Sequence, residues 1–374
     1  MGKKHVRVDH LLVFILASLV LGGILLFTSA AFGLLARGSL NMSSVFLSHL
    51  GLGLGMGMVA LVIGLITDYH HWRQYAPYLF GASLIVTAAV FIPHIGMEHG
   101  GGKRWLLIAG MSFQPSEALK LATVMFAAAY FATICHKIQT LPWGLGGFAA
   151  IMALPALLLV LQPDIGTLGV ITFGALAIFW AAGARVRDIA ILAIVGALSL
   201  GMLFYTKPYI RDRITTFLDP SQGKQAESYQ IHQSLIAIGS GQFLGRGFGQ
   251  GIQKFTYLPE PMGDSIFAVA GEELGFVGCV VIVLLFLAFG LRGFHVALKA
   301  KDSFGMYLGV GISTYLTIEA FINIAAMLGM APLTGIPLTF VSQGGSAMLM
   351  SLAAAGVLLN ISKNKGKGTV TGDK

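Results

Sequence analysis

Charge is what this sequence has least of. Of its 374 residues only 11% are Asp, Glu, Lys or Arg, while 56% are hydrophobic and the mean hydropathy is +0.80. A soluble domain carries roughly 25% charged residues, so a water-solvated globule is excluded and lipid is the main solvent. Cysteine is nearly absent: Cys135 and Cys279 both fall in apolar stretches, say nothing about disulfides, and no metal-ligand spacing accompanies them. A cleavable leader is not expected. Lys3, Lys4 and Arg7 look like its basic start, but the apolar run behind them is about 25 residues, longer than the ~7–15 of a signal peptide, so a signal anchor is expected. There is no convincing internal repeat of the kind transporter folds often show. Gly245-Arg246-Gly247-Phe248-Gly249 resembles a nucleotide fingerprint only loosely, and no strand precedes it.

What the chain does have is apolar length. A membrane-spanning helix needs ~20 largely apolar residues, and about ten such stretches lie near 10–35, 46–67, 75–95, 117–135, 143–161, 165–184, 188–206, 264–291, 305–329 and 338–361. Backbone polar groups in lipid must pair within their own segment, so helices are the expected form. The expected fold is an all-α integral membrane protein of about ten transmembrane helices, a single polytopic domain over 1–374. With the N-terminus inside, the inner segments hold 14 of the 24 basic residues, among them Arg73, Lys137, Arg185, Arg187, Arg292, Lys299, Lys301 and Lys363. The short outer loops hold only Arg37, Lys103 and Arg104. The positive-inside rule therefore sets both termini in the cytoplasm. Two substantial segments then lie outside, 96–116 and a large loop at 207–263 between the seventh and eighth spans. The net charge of +8 is mostly this cytoplasmic rim facing anionic lipid, and is no argument for nucleic acid.

Glycine is abundant, 49 residues, and Gly51, Gly53, Gly55 and Gly57 in the second span read as close helix packing. Ionisable groups inside apolar segments are more telling, because each costs at least ~2.5–3.5 kcal/mol at mid-bilayer and usually pairs or faces a cavity. Glu117 and Lys120 stand three apart on one helical face, within ion-pair reach. Asp164 ends the fifth span in Gln162-Pro163-Asp164-Ile165-Gly166, where it serves as well for a helix cap. Glu272 and Glu273 open the eighth span and Glu319 lies midway along the ninth. A purely structural reading, buried polar links between helices, fits each of them. The large loop is basic, carrying Lys207, Arg211, Arg213, Lys224, Arg246 and Lys254, and its segment 229–238 has helical apolar spacing suited to a membrane surface. It ends in Leu258-Pro259-Glu260-Pro261-Met262-Gly263-Asp264, whose prolines and glycine delay the next helix. Asp264 thus stands where the chain enters the bilayer, either as an N-cap or as a carboxylate at the mouth of a cavity. A basic loop over a bundle suits an anionic ligand such as a lipid phosphate.

Four ordered stretches carry a family resemblance. The first is Gly102-Lys103-Arg104-Trp105 with Gly110, Gln114-Pro115-Ser116-Glu117 and Lys120; the second is Gln162 to Gly166. The third runs from Arg213 through Phe217-Leu218-Asp219-Pro220, Tyr229-Gln230, Gly239-Ser240-Gly241, Gly245-Arg246-Gly247 and Gln253-Lys254-Phe255 to Asp264 and Glu272-Glu273-Leu274-Gly275. The fourth is Pro332-Leu333-Thr334-Gly335-Ile336-Pro337-Leu338 with Phe340-Val341-Ser342 and Gly344-Gly345-Ser346. Over nearly its whole length the chain resembles the SEDS family, the FtsW/RodA/SpoVE group, and its Phe217–Pro220, Gln253–Phe255 and Leu359–Ser362 are more similar to the division branch than to the elongation branch. It departs from the family pattern at Pro261–Gly263, Ser265, Thr339, Gln343 and Glu319.

The resemblance implies a peptidoglycan glycosyltransferase that polymerises lipid II, with undecaprenyl diphosphate as leaving group and Asp264 as the essential carboxylate. Candidate contacts to diphosphate or sugar are Lys103, Arg104, Arg213, Arg246, Lys254, Glu260 and Ser342, and candidate structural or relay groups are Glu117, Lys120, Asp164, Glu272 and Glu273. No protein metal site is expected, and a divalent cation, Mg or Mn, is an option at the diphosphate. Implied partners are lipid II, nascent glycan, a class B penicillin-binding transpeptidase (FtsI-like), divisome proteins and membrane lipid. The implied location is the bacterial inner membrane, at the division septum. Two other classes compete: a flippase for the lipid-linked precursor, using the intramembrane charges as a polar path, and a non-catalytic septal scaffold. The basic loop ending in a positioned acid favours the enzyme.

Overall fold

The computed structural model describes residues 8–36, 47–93, 95–99, 102–108, 111–219 and 225–363. Gly110, Pro220, Lys224, Arg37 and the basic residues at 3–7 and 365–374 lie outside them. Each apolar stretch carries a helix. In chain order these are α1 (His10–Ala36), a π-helix (Leu47–Gly55) that continues into α2 (Met56–Ile66), α3 (Tyr69–Ala88), α4 (Pro115–Thr133), α5 (Leu145–Leu161), α6 (Ile165–Ala181) and α7 (Val186–Thr206). Then come α8 (Pro208–Leu218), α9 (Gln225–Ser240) and α10 (Gln253–Thr256) in the large loop, followed by α11 (Ile266–Leu298), α12 (Ser303–Met327) and α13 (Gly345–Lys363).

Among the described residues six helices are long and apolar enough to cross a membrane: those containing His10–Gly33, Tyr69–Phe91, Val186–Thr206, Ile266–Leu298, Ser303–Met327 and Gly345–Lys363. The others fall short for visible reasons. The second stretch is broken by its π-helical half, and α5 and α6 have 17 residues each, about 26 Å at 1.5 Å per residue against a hydrocarbon core of ~30 Å. Helix α4 carries Glu117 and Lys120 and is buried along nearly all of its length. It packs with α6, α12 and α13 at the centre of the bundle, whereas in α7 only Asp188 is buried.

Three segments differ from expectation. The outer segment 96–116, read as a loop, contains a three-stranded antiparallel sheet of β1 (Gly96–His99), β2 (Gly102–Ile108) and β3 (Met111–Phe113), which satisfies its backbone without a helix. The large loop is mostly helical, and α9 buries Ile231, Ser234 and Ala237 against α11 and α12. The last span begins at Gly345 and not near 338, because Pro332–Gly344 forms an irregular plug that delivers Leu338, Phe340 and Val341 to the core.

Helix α11 is interrupted at Gly275, where φ is +67°. The Gly241–Gly247 segment inserts its backbone at this break. Phe276 N donates to the Gln242 carbonyl at 2.9 Å, and Arg246 N and Gly247 N donate to the Glu272 and Glu273 carbonyls at 3.0 and 3.1 Å. A Cβ on Gly275 would strike the backbone of Gly245, and one on Gly245 would strike the Glu273 carbonyl. The glycine-rich run at 245–249 is therefore a helix-to-loop splice.

Candidate functional site

Asp264 lies one residue before the N-cap of α11. That N-cap is Ser265, whose side chain makes no capping bond, so the Asp264 carboxylate is not spent on the helix start. Its position is fixed through backbone. Asn323, on α12, donates from Nδ2 to the Asp264 carbonyl at 2.9 Å and to the Ile336 carbonyl at 2.8 Å. Ser342 donates to the Gly263 carbonyl at 2.7 Å, and Gln343 N donates to the Met262 carbonyl at 2.6 Å. From the other side, Gln230 on α9 donates to Ser265 Oγ at 3.0 Å. Gly335, at φ +69°, brings the plug backbone against Asp264: an ideal Cβ there would sit 3.7 Å from Oδ2.

Two arginines and one more carboxylate act on Asp264. Burial first and the charge of Glu260 second raise its pKa to about 6, against the opposing charges of Arg213 and Arg104. Glu260 is exposed and holds a left-handed φ of +44°, a conformation that costs a non-glycine residue energy and is often found where function requires it. Arg213, on α8, donates to the Thr334 carbonyl of the plug at 3.3 Å and lies 3.6 Å from Glu227. Arg104, on β2, donates through Nε to the Gln162 carbonyl at 3.1 Å and through Nη2 to the Pro163 carbonyl. Sheet, α8, plug and α11 thus converge around Asp264, a junction termed the cup.

The other candidates sort differently. Lys103 is exposed on β2 beside Arg104. Ser342 is buried and its hydroxyl is committed to backbone, accepting from Leu338 N at 2.8 Å as well as bracing Gly263. Lys254 is fully buried: its ammonium pairs with Glu273 at 2.5 Å, Ser29 at 2.7 Å and the Gly249 carbonyl at 3.1 Å. Such an ammonium joins α1, α10 and α11, and is not placed to meet a diphosphate. Arg246 lies 3.8 Å from Glu272, which also accepts from the backbone N–H of Ile252 and Gln253. Glu272 lies eight residues beyond Asp264, about 12 Å along a helix. Arg246 and Lys254 therefore belong to the splice and not to the cup, against the expectation from their charge. Glu272 and Glu273 are its structural anchors.

Glu117 and Lys120 do pair, at 2.9 Å, and Glu319 joins them at 2.6 Å, with all three side chains buried. Only the Glu319 contact has hydrogen-bond geometry; the Glu117 contact is ionic, off the bonding direction. Asp164 caps α6 by accepting from Thr167 N at 3.3 Å, and Gln114 and Ser116 approach its other oxygen at 3.4 Å each. Asn323 and Tyr209 escaped the sequence reading. An amide four residues beyond Glu319 in an apolar helix was the available signal for the first, and an aromatic four residues before Arg213 for the second.

Comparison with known proteins identifies the family. The family model for cell cycle proteins of the FtsW, RodA and SpoVE type matches residues 9–367. A probable peptidoglycan glycosyltransferase FtsW from Geobacter sp. (strain M18) is 36% identical, covering 95% of this chain and 96% of that one. Stage V sporulation protein E of Bacillus subtilis (strain 168) is 36% identical over 97% of this chain and 99% of its own. Among solved structures, a chain from a peptidoglycan synthase complex that coordinates polymerization and crosslinking superposes with a TM-score of 0.78 at 26% identity, covering 97% of this chain and 99% of that one. The rod shape determining protein RodA of Thermus thermophilus shares the fold, with a TM-score of 0.70 at 23% identity and coverage of 97% and 99%. With the family model spanning nearly the whole chain and relatives matching end to end, this membrane protein belongs to the SEDS family, the FtsW/RodA/SpoVE group.

Proposed function

We propose that the chain is a peptidoglycan glycosyltransferase that joins lipid II units into glycan and releases undecaprenyl diphosphate. The observation that carries the reading is Asp264: a carboxylate excused from capping, held by its backbone, and within electrostatic reach of two guanidiniums. A sugar hydroxyl is a poor nucleophile until a base takes its proton, and such help is typically worth ~10²–10⁴-fold. Asp264 accepts the proton of the acceptor 4-hydroxyl as its oxygen attacks the donor's anomeric carbon. The anomeric bond to the diphosphate breaks, and the diphosphate leaves with the electron pair and needs no proton. A single inverting displacement therefore works with one carboxylate, where glycosidases use two. Arg104 and Arg213 supply positive charge where the leaving group accumulates negative charge.

A divalent cation fits this cup only in part. Among the described residues no group of three or more His, Cys, Asp and Glu is arranged to hold a metal. Asp264 and Glu260 offer two carboxylates, and the other oxygens would come from diphosphate and water, as Mg²⁺ commonly arranges at phosphates. Bound there, the ion would neutralise leaving-group charge.

The division role rests on the FtsW relatives, and cytoplasmic-membrane residence at the septum goes with it. A class B penicillin-binding transpeptidase is the proposed partner, since the similar solved chain comes from a complex that couples polymerization to crosslinking. Purified protein incubated with labelled lipid II should yield a ladder of glycan lengths on a gel. Absence of polymer with folded protein, with and without the transpeptidase, would overturn the enzyme reading.

A further inference from the structure

Tyr209 sits on α8 four residues before Arg213, so both side chains share one face of that helix. Its hydroxyl is buried and has no hydrogen-bond partner among the described residues. A buried polar atom left without a partner is costly, and each case calls for an explanation. The phenol lies within the electrostatic reach of Arg213, Arg104 and Asp164. Neither arginine can accept its proton, because a guanidinium has no acceptor atom. Asp164 is already occupied, by Thr167 N on one oxygen and by Gln114 and Ser116 on the other. Arg104 spends Nε and Nη2 on the Gln162 and Pro163 carbonyls, and Arg213 spends Nη1 on Thr334. Each guanidinium has five N–H donors, so both keep donors in reserve. Donors thus converge here, and although Glu227 lies 3.6 Å from Arg213, no acceptor among the described residues takes the phenol's proton, an arrangement that suits a phosphoryl group.

We propose that the Tyr209 hydroxyl is a third donor to the lipid diphosphate, beside the guanidiniums of Arg104 and Arg213. This rests on the reading of the cup as the seat of that diphosphate. Burial raises the Tyr209 pKa above the usual phenol value, with Asp164 adding to the rise and Arg213 and Arg104 opposing it. The phenol is therefore protonated, and a donor, throughout the working pH range. Because it contacts the leaving group, its loss weakens recognition of the phosphate and leaves recognition of the isoprenoid tail unchanged.

The test uses the full chain in lipid nanodiscs, with Tyr209→Phe, Arg104→Ala, Arg213→Ala and the Tyr209→Phe/Arg213→Ala double variant. Undecaprenyl diphosphate and uncharged undecaprenol serve as competing inhibitors of lipid II polymerisation. A hydrogen bond to a charged group is worth enough that Tyr209→Phe should weaken inhibition by the diphosphate about tenfold, raise KM for lipid II, and leave inhibition by undecaprenol unchanged. The double variant should lose less than the product of the two single losses, because both groups serve one ligand. If the arginine variants weaken diphosphate binding and Tyr209→Phe does not, the tyrosine assignment is overturned while the cup reading stands. If none of the three changes it, the cup reading falls and takes the tyrosine with it. If Tyr209→Phe lowers the melting temperature and weakens undecaprenol and diphosphate alike, the hydroxyl is structural and the proposal is overturned.

Discussion

A general base must be ionised before it can work, and Asp264, the proposed base, is poised close to that limit. With a pKa raised to about 6 by burial first and Glu260 second, it is mostly ionised at pH 7, and the active form is lost as pH falls through 6. The initial rate of polymerisation at low lipid II should therefore fall about tenfold per pH unit on the acid side. Glu260→Gln removes a charge that raises this pKa, so the acid limb should move to lower pH; Arg213→Ala removes an opposing charge and should move it up. A limb that stays put in both variants would mean that another group titrates. Asp264→Asn keeps shape and hydrogen bonding but cannot take a proton at neutral pH. Since Ser265 and not Asp264 starts the helix, the variant should fold normally while polymerisation drops by at least ~10²-fold. Wild-type activity at matched amounts of folded protein would end the assignment. The sequence expectation named Asp264, Arg213 and Arg104 together, and the structure brings the two guanidiniums within electrostatic reach of the carboxylate. Lys254, Arg246 and Ser342, expected as ligand contacts, have protein partners instead, because sequence gives a charge or a hydroxyl but not the partner that consumes it.

At the scale of elements, the splice between α11 and the loop at 241–247 shows what glycine spacing encodes. Gly275→Ala would place a side chain at φ +67° and against the Gly245 backbone. Left-handed strain alone costs on the order of 1–3 kcal/mol, and the collision adds to it, so the variant should melt earlier and lose folded yield. Gly239→Ala is the contrast. It lies in α9 with nothing within 4 Å of an added Cβ, and glycine inside a helix costs roughly 0.5–1 kcal/mol relative to alanine. It should leave melting unchanged or raise it, and equal losses in both variants would refute the splice. The buried pair of Glu117 and Lys120 was visible in the sequence as a three-residue spacing on one face, but its third member was not. Glu319 reaches Lys120 across 199 positions of chain, a distance that no local pattern covers. Glu117→Ala removes one partner from a buried charge cluster, a change that costs roughly 3–5 kcal/mol when no other partner remains. Glu319 still compensates Lys120, so the loss of folded yield should be smaller than for Glu117→Ala combined with Glu319→Ala. Full yield in the double variant would show that the cluster is dispensable for folding.

Over the whole molecule, polarity gathers at two ends. At one end Arg292 forms a two-pronged pair with Asp9 at 2.9 and 2.8 Å, Tyr69 donates to Asp302 at 2.5 Å, and Lys363 donates to the Leu65 carbonyl at 3.0 Å. At the other end lie the sheet, α8, the plug and the Asp264 cup. Between them α7 exposes Ile194, Val195, Leu198 and Met202, a surface suited to lipid. The mostly helical character was legible because apolar length is a one-dimensional signal, whereas about ten spans were expected and six helices among the described residues are long and apolar enough to cross a membrane. The sheet, the plug and the kink at Gly275 were not legible, because they depend on backbone partners far away in sequence. The direction of the bundle across the membrane is an expectation from charge: Arg73, Arg185, Arg187, Arg292, Lys299 and Lys301 flank the end opposite the cup, and the positive-inside rule predicts that this end faces the cytoplasm. The proposed function depends on this orientation, since a base acting on an exported precursor has to face outward. Single cysteines at two exposed positions, Gln250→Cys in the loop and Lys301→Cys between α11 and α12, test it in a background lacking Cys135 and Cys279. A membrane-impermeant maleimide should label Gln250→Cys in intact cells and Lys301→Cys only after permeabilisation. The reverse pattern would turn the bundle over, place Asp264 against the cytoplasm, and remove it from any role in building glycan outside.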